Sequence, residues 1–322
     1  MSPAGYLASP PRFGVALAGS GGWILRPGAV KYIVPSADLS VSRPLVRIEC
    51  TFDSSKQRSK IPRPTNSSGA MRNLLLVIGP AGCGKSTLVG ALSRWLLRKQ
   101  LIPSGIVNLD PGAEVTPYEA HVNVRKYVRS EEVMLREGLG PNGALIRSIE
   151  LLMNYEDELM EELERLTKPY ILVDTPGQME LFLFREFGLS FTEKLKKLGA
   201  VVAVLVIDPT LGRRPQDIVV LKLLSLVVQL RFGIDVVPVI NKADLLENKL
   251  EGVDIFLDSD TLRNRLHQVP GVMGDLSEQI LDVLENFKLA MRIPTVSALR
   301  EEGLEQLYDI LHEIFCACGD LT

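Results

Sequence analysis

Cysteine and histidine are scarce in this chain of 322 residues, and each scarcity removes a class of protein. The four cysteines, Cys50, Cys83, Cys316 and Cys318, show no framework spacing, which excludes a disulfide-stapled secreted scaffold. Cys83 lies within a glycine-rich loop, so thiols kept reduced in a cytoplasmic compartment are the simplest reading. Cys316-Ala-Cys318 lacks the further ligands at characteristic spacing that a zinc site requires. The three histidines, His121, His267 and His312, are scattered and read as structural or surface residues. Long hydrophobic runs are missing too: stretches such as 199–207 fall short of the roughly 20 residues of a membrane span. So is the succession of basic, apolar and small residues that marks a secretory signal.

An excess of positive charge is absent from most of the chain. Residues 1–70 carry 9 Lys/Arg against 3 Asp/Glu, whereas residues 71–322 carry 27 against 36. The body is acidic, with no nucleic-acid footprint. A hydrophobic content of 46% is enough for a substantial core, and the length allows one large domain or two small ones.

Residues 1–70 are rich in Pro, Ser and Gly with only short apolar runs, which predicts a poorly ordered N-terminal extension. Its basic, acid-poor composition has a faint likeness to a transit peptide. Met71 stands just before the first clear strand, so a start assigned too far upstream is the plainer expectation.

From Leu74 onward short apolar runs alternate with helical patterns, the sign of parallel strands joined by crossover helices. Strands are expected at 74–78, 105–109, 170–173, 201–207, 236–240 and 293–296, and helices from about Lys85, Gly143, Pro215 and Gly303. Nearly unbroken hydrophobicity marks strands covered on both faces. The fold class is therefore α/β, a doubly wound and mostly parallel sheet spanning 71–322, with a helical insertion at about 245–290. Within the insertion, Asp275-Leu-Ser-Glu278 reads as a capping box ahead of an amphipathic helix carrying Ile280, Val283, Leu284 and Phe287. Packing on its own domain is the plainer expectation for that stripe; a partner groove or dimer surface is the other.

Four stretches carry chemistry. Gly79-Pro-Ala-Gly-Cys-Gly-Lys-Ser86 fits G-x-x-x-x-G-K-[ST] between an expected strand and an expected helix, the context that identifies a P-loop. Backbone N–H groups over Gly82, Cys83, Gly84 and into Ser86 and Thr87 would cradle phosphates, and Lys85 would neutralise the β- and γ-phosphates. Ser86 and Asp174, the latter ending an apolar strand, would hold Mg²⁺. In Asp174-Thr-Pro-Gly177 the glycine can bring its N–H to a γ-phosphate, and losing that phosphate would release the loop. Asp110, Gln178 and Glu180 are the candidates for orienting the attacking water, and the sequence does not choose among them; Asp110 could instead join the magnesium shell.

Asn241-Lys-Ala-Asp244 follows the strand 236–240, where a carboxylate accepts two hydrogen bonds from the guanine edge. Adenine lacks that donor pair, and an unpaired buried polar group disfavours the wrong base. Asn241 would tie the loop, the Lys242 stem would lie along the ring, and Ser297, Ala298 and Leu299 would offer backbone donors to the base oxygen. Together the four stretches point to GTP and GDP as ligands and to GTP hydrolysis. An ATP-hydrolysing relative is the rival, as is a scaffold in which hydrolysis only resets partner binding.

Gly140-Pro-Asn142, just ahead of a helix carrying Leu145, Ile149, Leu152, Leu159 and Leu163, narrows the reading. With Asp174-Thr-Pro-Gly-Gln178-Met-Glu180 it resembles the GPN-loop GTPases over about residues 71–318, most closely the archaeal homodimeric branch. The resemblance implies a SIMIBI-class G domain working as a homodimer, with Asn142 of one copy meeting the γ-phosphate held by the other. It also implies an insertion that rearranges with nucleotide state, and a possible protein client such as an RNA polymerase assembly component. Pro80 stands where related dimeric nucleotide hydrolases often carry a second lysine, which fits Asn142 doing the cross-dimer work. Residues 1–70 have no counterpart in the family pattern.

Overall fold

The computed structural model describes residues 17–18, 22–23, 72–211, 214–245, 258–286 and 293–319. The chain divides into two units, Met1–Ile61 and Pro62–Thr322. In the first, β1 (Leu17–Ala18) and β2 (Gly22–Trp23) pair antiparallel. The expectation of a poorly ordered extension over 1–70 otherwise lies outside the described residues.

The second unit is built on six parallel strands: β3 (Arg72–Ile78), β4 (Ser104–Asn108), β5 (Val122–Asn123), β6 (Tyr170–Asp174), β7 (Gly199–Ile207) and β8 (Asp235–Ile240). Their order across the sheet is β5-β4-β6-β3-β7-β8. The chain runs outward from β3 to one side and then returns to the other, so the switch point lies at β3, where open α/β sheets bind ligands. Register puts Asp174 beside both Val77 and Asn108, and Ile207 beside Ile240, so the strand ends form one edge.

Alternation along the strands builds two cores. Leu74, Leu76 and Ile78 face one side, packed with Phe182, Phe187, Phe191 and Phe232 from α5 (Met179–Leu183), α6 (Glu186–Leu198) and α7 (Pro215–Phe232). Leu75 and Val77 face the other, with Leu88, Leu92 and Trp95 of α1 (Lys85–Gln100) and Leu307 and Leu311 of α10 (Leu304–Gly319). Burying each such side chain contributes about 1.5–3 kcal/mol, which is why strands with apolar residues on both faces belong in the middle layer.

Three expectations are not met. Residues 293–296 meet the sheet through a single parallel bridge, Thr295 to Ile240, and do not form a full strand. The helix expected through Leu163 is two: α3 (Pro141–Leu152) ends in a 3-10 turn, and α4 (Glu156–Glu164) starts afresh. Glu156, Asp157 and Glu158 suit a new helix N-terminus electrostatically, and Tyr155 stacks on Tyr127 at 5.1 Å in the break. In the insertion, α8 (Ser259–Leu266) is followed by α9 (Val272–Asn286), so Asp275 lies inside the first turn and no capping box forms there. Ser277 instead donates to Met273 O at 2.7 Å, because the turn at Gly271 starts the helix earlier. Leu281 and Leu284 are buried on the domain itself, Val283 is half exposed, and Phe287 lies outside the described residues. The sequence reading missed β5 and α2 (Ser130–Glu137), both short, and α6, although Phe187, Phe191 and Leu195 have helical spacing.

Candidate nucleotide-binding site

The P-loop leaves β3 and closes on the first turn of α1. Gly84 sits at the helix N-cap with φ 93°, and a Cβ there would lie 2.4 Å from Asn241 Nδ2, so only glycine fits. Lys85 is buried and its ammonium donates to Gly79 O at 2.8 Å, Pro80 O at 3.0 Å and Gly177 O at 3.0 Å. The lysine thus ties the P-loop to the Asp174–Gly177 segment. Gly82 is exposed at the loop tip, Cys83 is fully buried beneath it, and Ser86 and Thr87 are half-buried in the first helical turn. Burial pushes the Cys83 thiol above its usual range, so it packs as an apolar group.

Asp174 is fully buried at the end of β6. Its Oδ2 accepts the Tyr118 hydroxyl at 2.5 Å, while its Oδ1 is buried with no hydrogen-bond partner among the described residues. Burial pushes this carboxyl up to about 6, against the lowering influence of Tyr118, Ser86 and Lys85. A buried carboxylate oxygen without a partner, beside a serine hydroxyl, is the donor chemistry a hard divalent cation takes. The residues present therefore fit Mg²⁺. Among the described residues no group of three or more His, Cys, Asp or Glu could hold a metal by itself.

Asp110 follows β4 and bridges two loops, its Oδ2 accepting Gly177 N–H at 2.8 Å and its Oδ1 accepting Gly112 N–H at 2.8 Å. The N–H expected at the γ-phosphate is thus taken by Asp110. Asn108, fully buried, shapes this turn by accepting Asp110 N–H at 3.0 Å. Gln178 donates to Asn142 Oδ1 of the same chain at 3.5 Å, which brings the Gly-Pro-Asn tripeptide beside the Asp174–Gly177 segment. Glu180 is exposed in the first turn of α5.

The base-reading end is tied to the P-loop. Asn241 donates to Cys83 O at 3.0 Å and accepts Ala298 N–H at 3.0 Å. Ser297 donates to Asp244 Oδ1 at 2.5 Å, fixing the carboxylate. The backbone donors of Ser297 and Ala298 go to Glu302 O and Asn241 and so do not face a base oxygen here, while Leu299 is exposed. Lys242, with φ 59°, forms an ion pair with Asp208 at 2.6 Å. Burial works to raise the Asp208 carboxyl, but the bonds from Lys242 and Thr210 outweigh it and hold it below its usual range. Sequence reasoning missed Asp208, Asn108 and Tyr118. Asp208-Pro209 follows β7 as Asp110-Pro111 follows β4, a signal that would have found the first of them.

The switch-point sheet, the loop on Lys85 and the carboxylates at the strand ends define a P-loop nucleoside-triphosphatase fold. A family model described as "Conserved hypothetical ATP binding protein" matches residues 77–317. The chain is 38% identical over 253 residues to the GPN-loop GTPase PAB0955 of Pyrococcus abyssi, a match spanning 77% of this chain and 100% of that one. It is 36% identical over 248 residues to the GPN-loop GTPase QQT1 of Arabidopsis thaliana, across 73% of this chain and 82% of that protein. The crystal structure of PAB0955, a GTPase in apo form, superposes with a TM-score of 0.70 at 35% identity, covering 76% of this chain and 98% of that one. The chain belongs to the GPN-loop GTPase family.

Proposed function

We propose that this chain binds GTP and hydrolyses it to GDP and phosphate as a dimeric switch with Mg²⁺. The observation that carries the guanine reading is the double tie of Asn241 to Cys83 O and Ala298 N–H, with Asp244 held by Ser297. That tie aims a carboxylate at a base whose phosphates lie on the P-loop, and it favours guanine over the adenine of the family model's description.

Lys85 exchanges its three carbonyl partners for the β- and γ-phosphates, which frees Gly177 from the lysine. Ser86 and Asp174 would hold Mg²⁺, which supplies charge neutralisation for the transferred phosphoryl group. Gly177 N–H turns from Asp110 to the γ-phosphate, and the released Asp110, with Gln178, orients water for in-line attack. The water oxygen bonds to phosphorus as the bond to the bridging oxygen breaks, and GDP leaves. Asn142 of a second copy stabilises the charge on the transferring oxygens, a role that rests on the family resemblance.

Hydrolysis of GTP and ATP, measured on the purified protein with Mg²⁺, tests the reading: strong preference for GTP is expected, and equal turnover of both overturns it. Asn142→Ala should slow GTP turnover at least about tenfold while GDP affinity stays within twofold, the pattern of an interaction made in the transition state. Equal loss of both would remove Asn142 from that role. The exposed Val272, Met273, Leu276 and Val283 of α9 favour a second reading, a protein client in the cytoplasm whose capture hydrolysis resets. Retention of a client by the GTP-bound and not the GDP-bound form would support it.

A further inference from the structure

Tyr118 lies outside every motif, in the loop between β4 and β5, yet its hydroxyl donates to Oδ2 of Asp174 at 2.5 Å across 56 positions of sequence. We propose that Tyr118 is a positioning residue for the metal site: it occupies Oδ2 and so fixes Oδ1 as the oxygen presented to the cation. This rests on the reading of Ser86 and Asp174 as the groups that hold Mg²⁺.

A carboxylate turns readily about its last torsion, so an isolated Asp174 would present either oxygen or both. One bond to Oδ2 removes that freedom. The donor is also neutral, whereas a lysine or arginine in its place would repel the cation it served to orient. Such outer partners of metal ligands set ligand geometry and affinity.

The loop that carries Tyr118 is itself held against α1. Arg94 donates to Pro117 O at 3.3 Å, and Thr116 donates to Tyr118 O at 2.9 Å. Gly90 stands in the middle of α1, where glycine costs about 1 kcal/mol, and a Cβ there would lie 3.0 Å from Pro117 O. The helix thus yields room to the loop backbone one residue before the tyrosine. At its other end the loop begins with Asp110, which binds Gly177 N–H. The segment 110–118 is therefore bounded by two attachments to Asp174–Gly177, one at Asp174 Oδ2 and one at Gly177 N–H.

A tyrosine that only filled space would serve the domain through its ring, and Tyr118→Phe keeps the ring. Binding of Mn²⁺, used in place of Mg²⁺, to the GDP complex would be followed by electron paramagnetic resonance, alongside GDP affinity in EDTA and thermal melting. Tyr118→Phe should weaken Mn²⁺ binding about tenfold, with GDP affinity in EDTA and Tm near wild type. Gly90→Ala, which leaves the hydroxyl in place but presses on Pro117, should weaken Mn²⁺ binding less. Unchanged Mn²⁺ affinity in Tyr118→Phe, or a matching loss of GDP affinity in EDTA, overturns the assignment. Absence of Mn²⁺ binding in the wild-type GDP complex would instead overturn the Ser86–Asp174 reading beneath it.

Discussion

At the base-reading end Asn241 is bonded at both of its amide atoms, Asp244 is held by Ser297, and Lys242 is paired with Asp208. At the P-loop end Lys85 directs its donors to three carbonyls, Gly177 N–H is taken by Asp110, and Asp174 Oδ1 is buried with no partner among the described residues. At the first end buried bonds tie the loops of Asn241 and Asp244 to the P-loop and to Ser297–Ala298, whereas at the second Lys85, Asp110 and Gly177 hold one another. The difference assigns tasks. An end held by buried bonds can keep its shape, while an end whose bonds are exchangeable can change partners.

The comparison can be broken most forcefully at Asp244. Asp244→Asn should lower GTP affinity on the order of 10³-fold and improve binding of xanthosine triphosphate in competition measurements, since a reader built for two donors rejects their loss. Unaltered base preference would mean that this end does not read the base. Lys85→Ala should cut GTP affinity several hundredfold, roughly the worth of one or two charge-assisted bonds. Melting of the nucleotide-free protein should not fall in the same variant, because its carbonyl contacts serve a charge that burial disfavours. A large drop in Tm would show that the phosphate end, too, is built for stability.

Asp174 gives the comparison a pH dependence. Its folded carboxyl sits at about 6 against a usual 3.8, so burial favours the protonated form. Its stabilising contribution is full below pH 3.8 and is lost as the pH rises to about 6, leaving a disfavoured anion at pH 8. Asp174→Asn should therefore raise the stability of the nucleotide-free protein at pH 8, by up to about 3 kcal/mol, while weakening metal-dependent nucleotide binding. A Tm equal to wild type at pH 8 would remove the strain from the phosphate end. The smallest effect is expected at the rim of the base loop, where Arg98 and Arg94 pair with Glu301 at partly exposed positions. Arg98→Ala should change stability by less than about 1 kcal/mol and leave base preference intact. A shift in preference would show that the base end depends on surface charge and not on its buried bonds.

Much of the site was legible because P-loop proteins place their chemistry where local patterns are clearest. Asp174 ends a strand, Asp110 and Asn241 come within two residues of strand ends, and the P-loop lies between a strand and a helix whose start Lys85 marks. Tyr118 was invisible for the opposite reason: its partner lies on a different strand, and a Pro-Tyr pair in a polar loop has no periodicity to betray it. The insertion misled for a third reason. Asp275-Leu-Ser-Glu278 satisfies a capping pattern, but the turn at Gly271 had already begun the helix, and backbone geometry upstream outranks a side-chain signal. The break between α3 and α4 likewise arose where a continuous apolar period met a run of acids better placed at a helix start.

By itself the sequence determined the parallel α/β sheet and the P-loop, because hydrophobic period and turn chemistry act over a few residues. Only the tertiary structure decided which of those groups are already bonded: Lys85 to Gly177 O, Gly177 N–H to Asp110, Asn241 between Cys83 and Ala298, and Tyr118 on Asp174. Those bonds join residues brought together by strand order, and a buried polar group must take its partner from whatever the fold sets beside it.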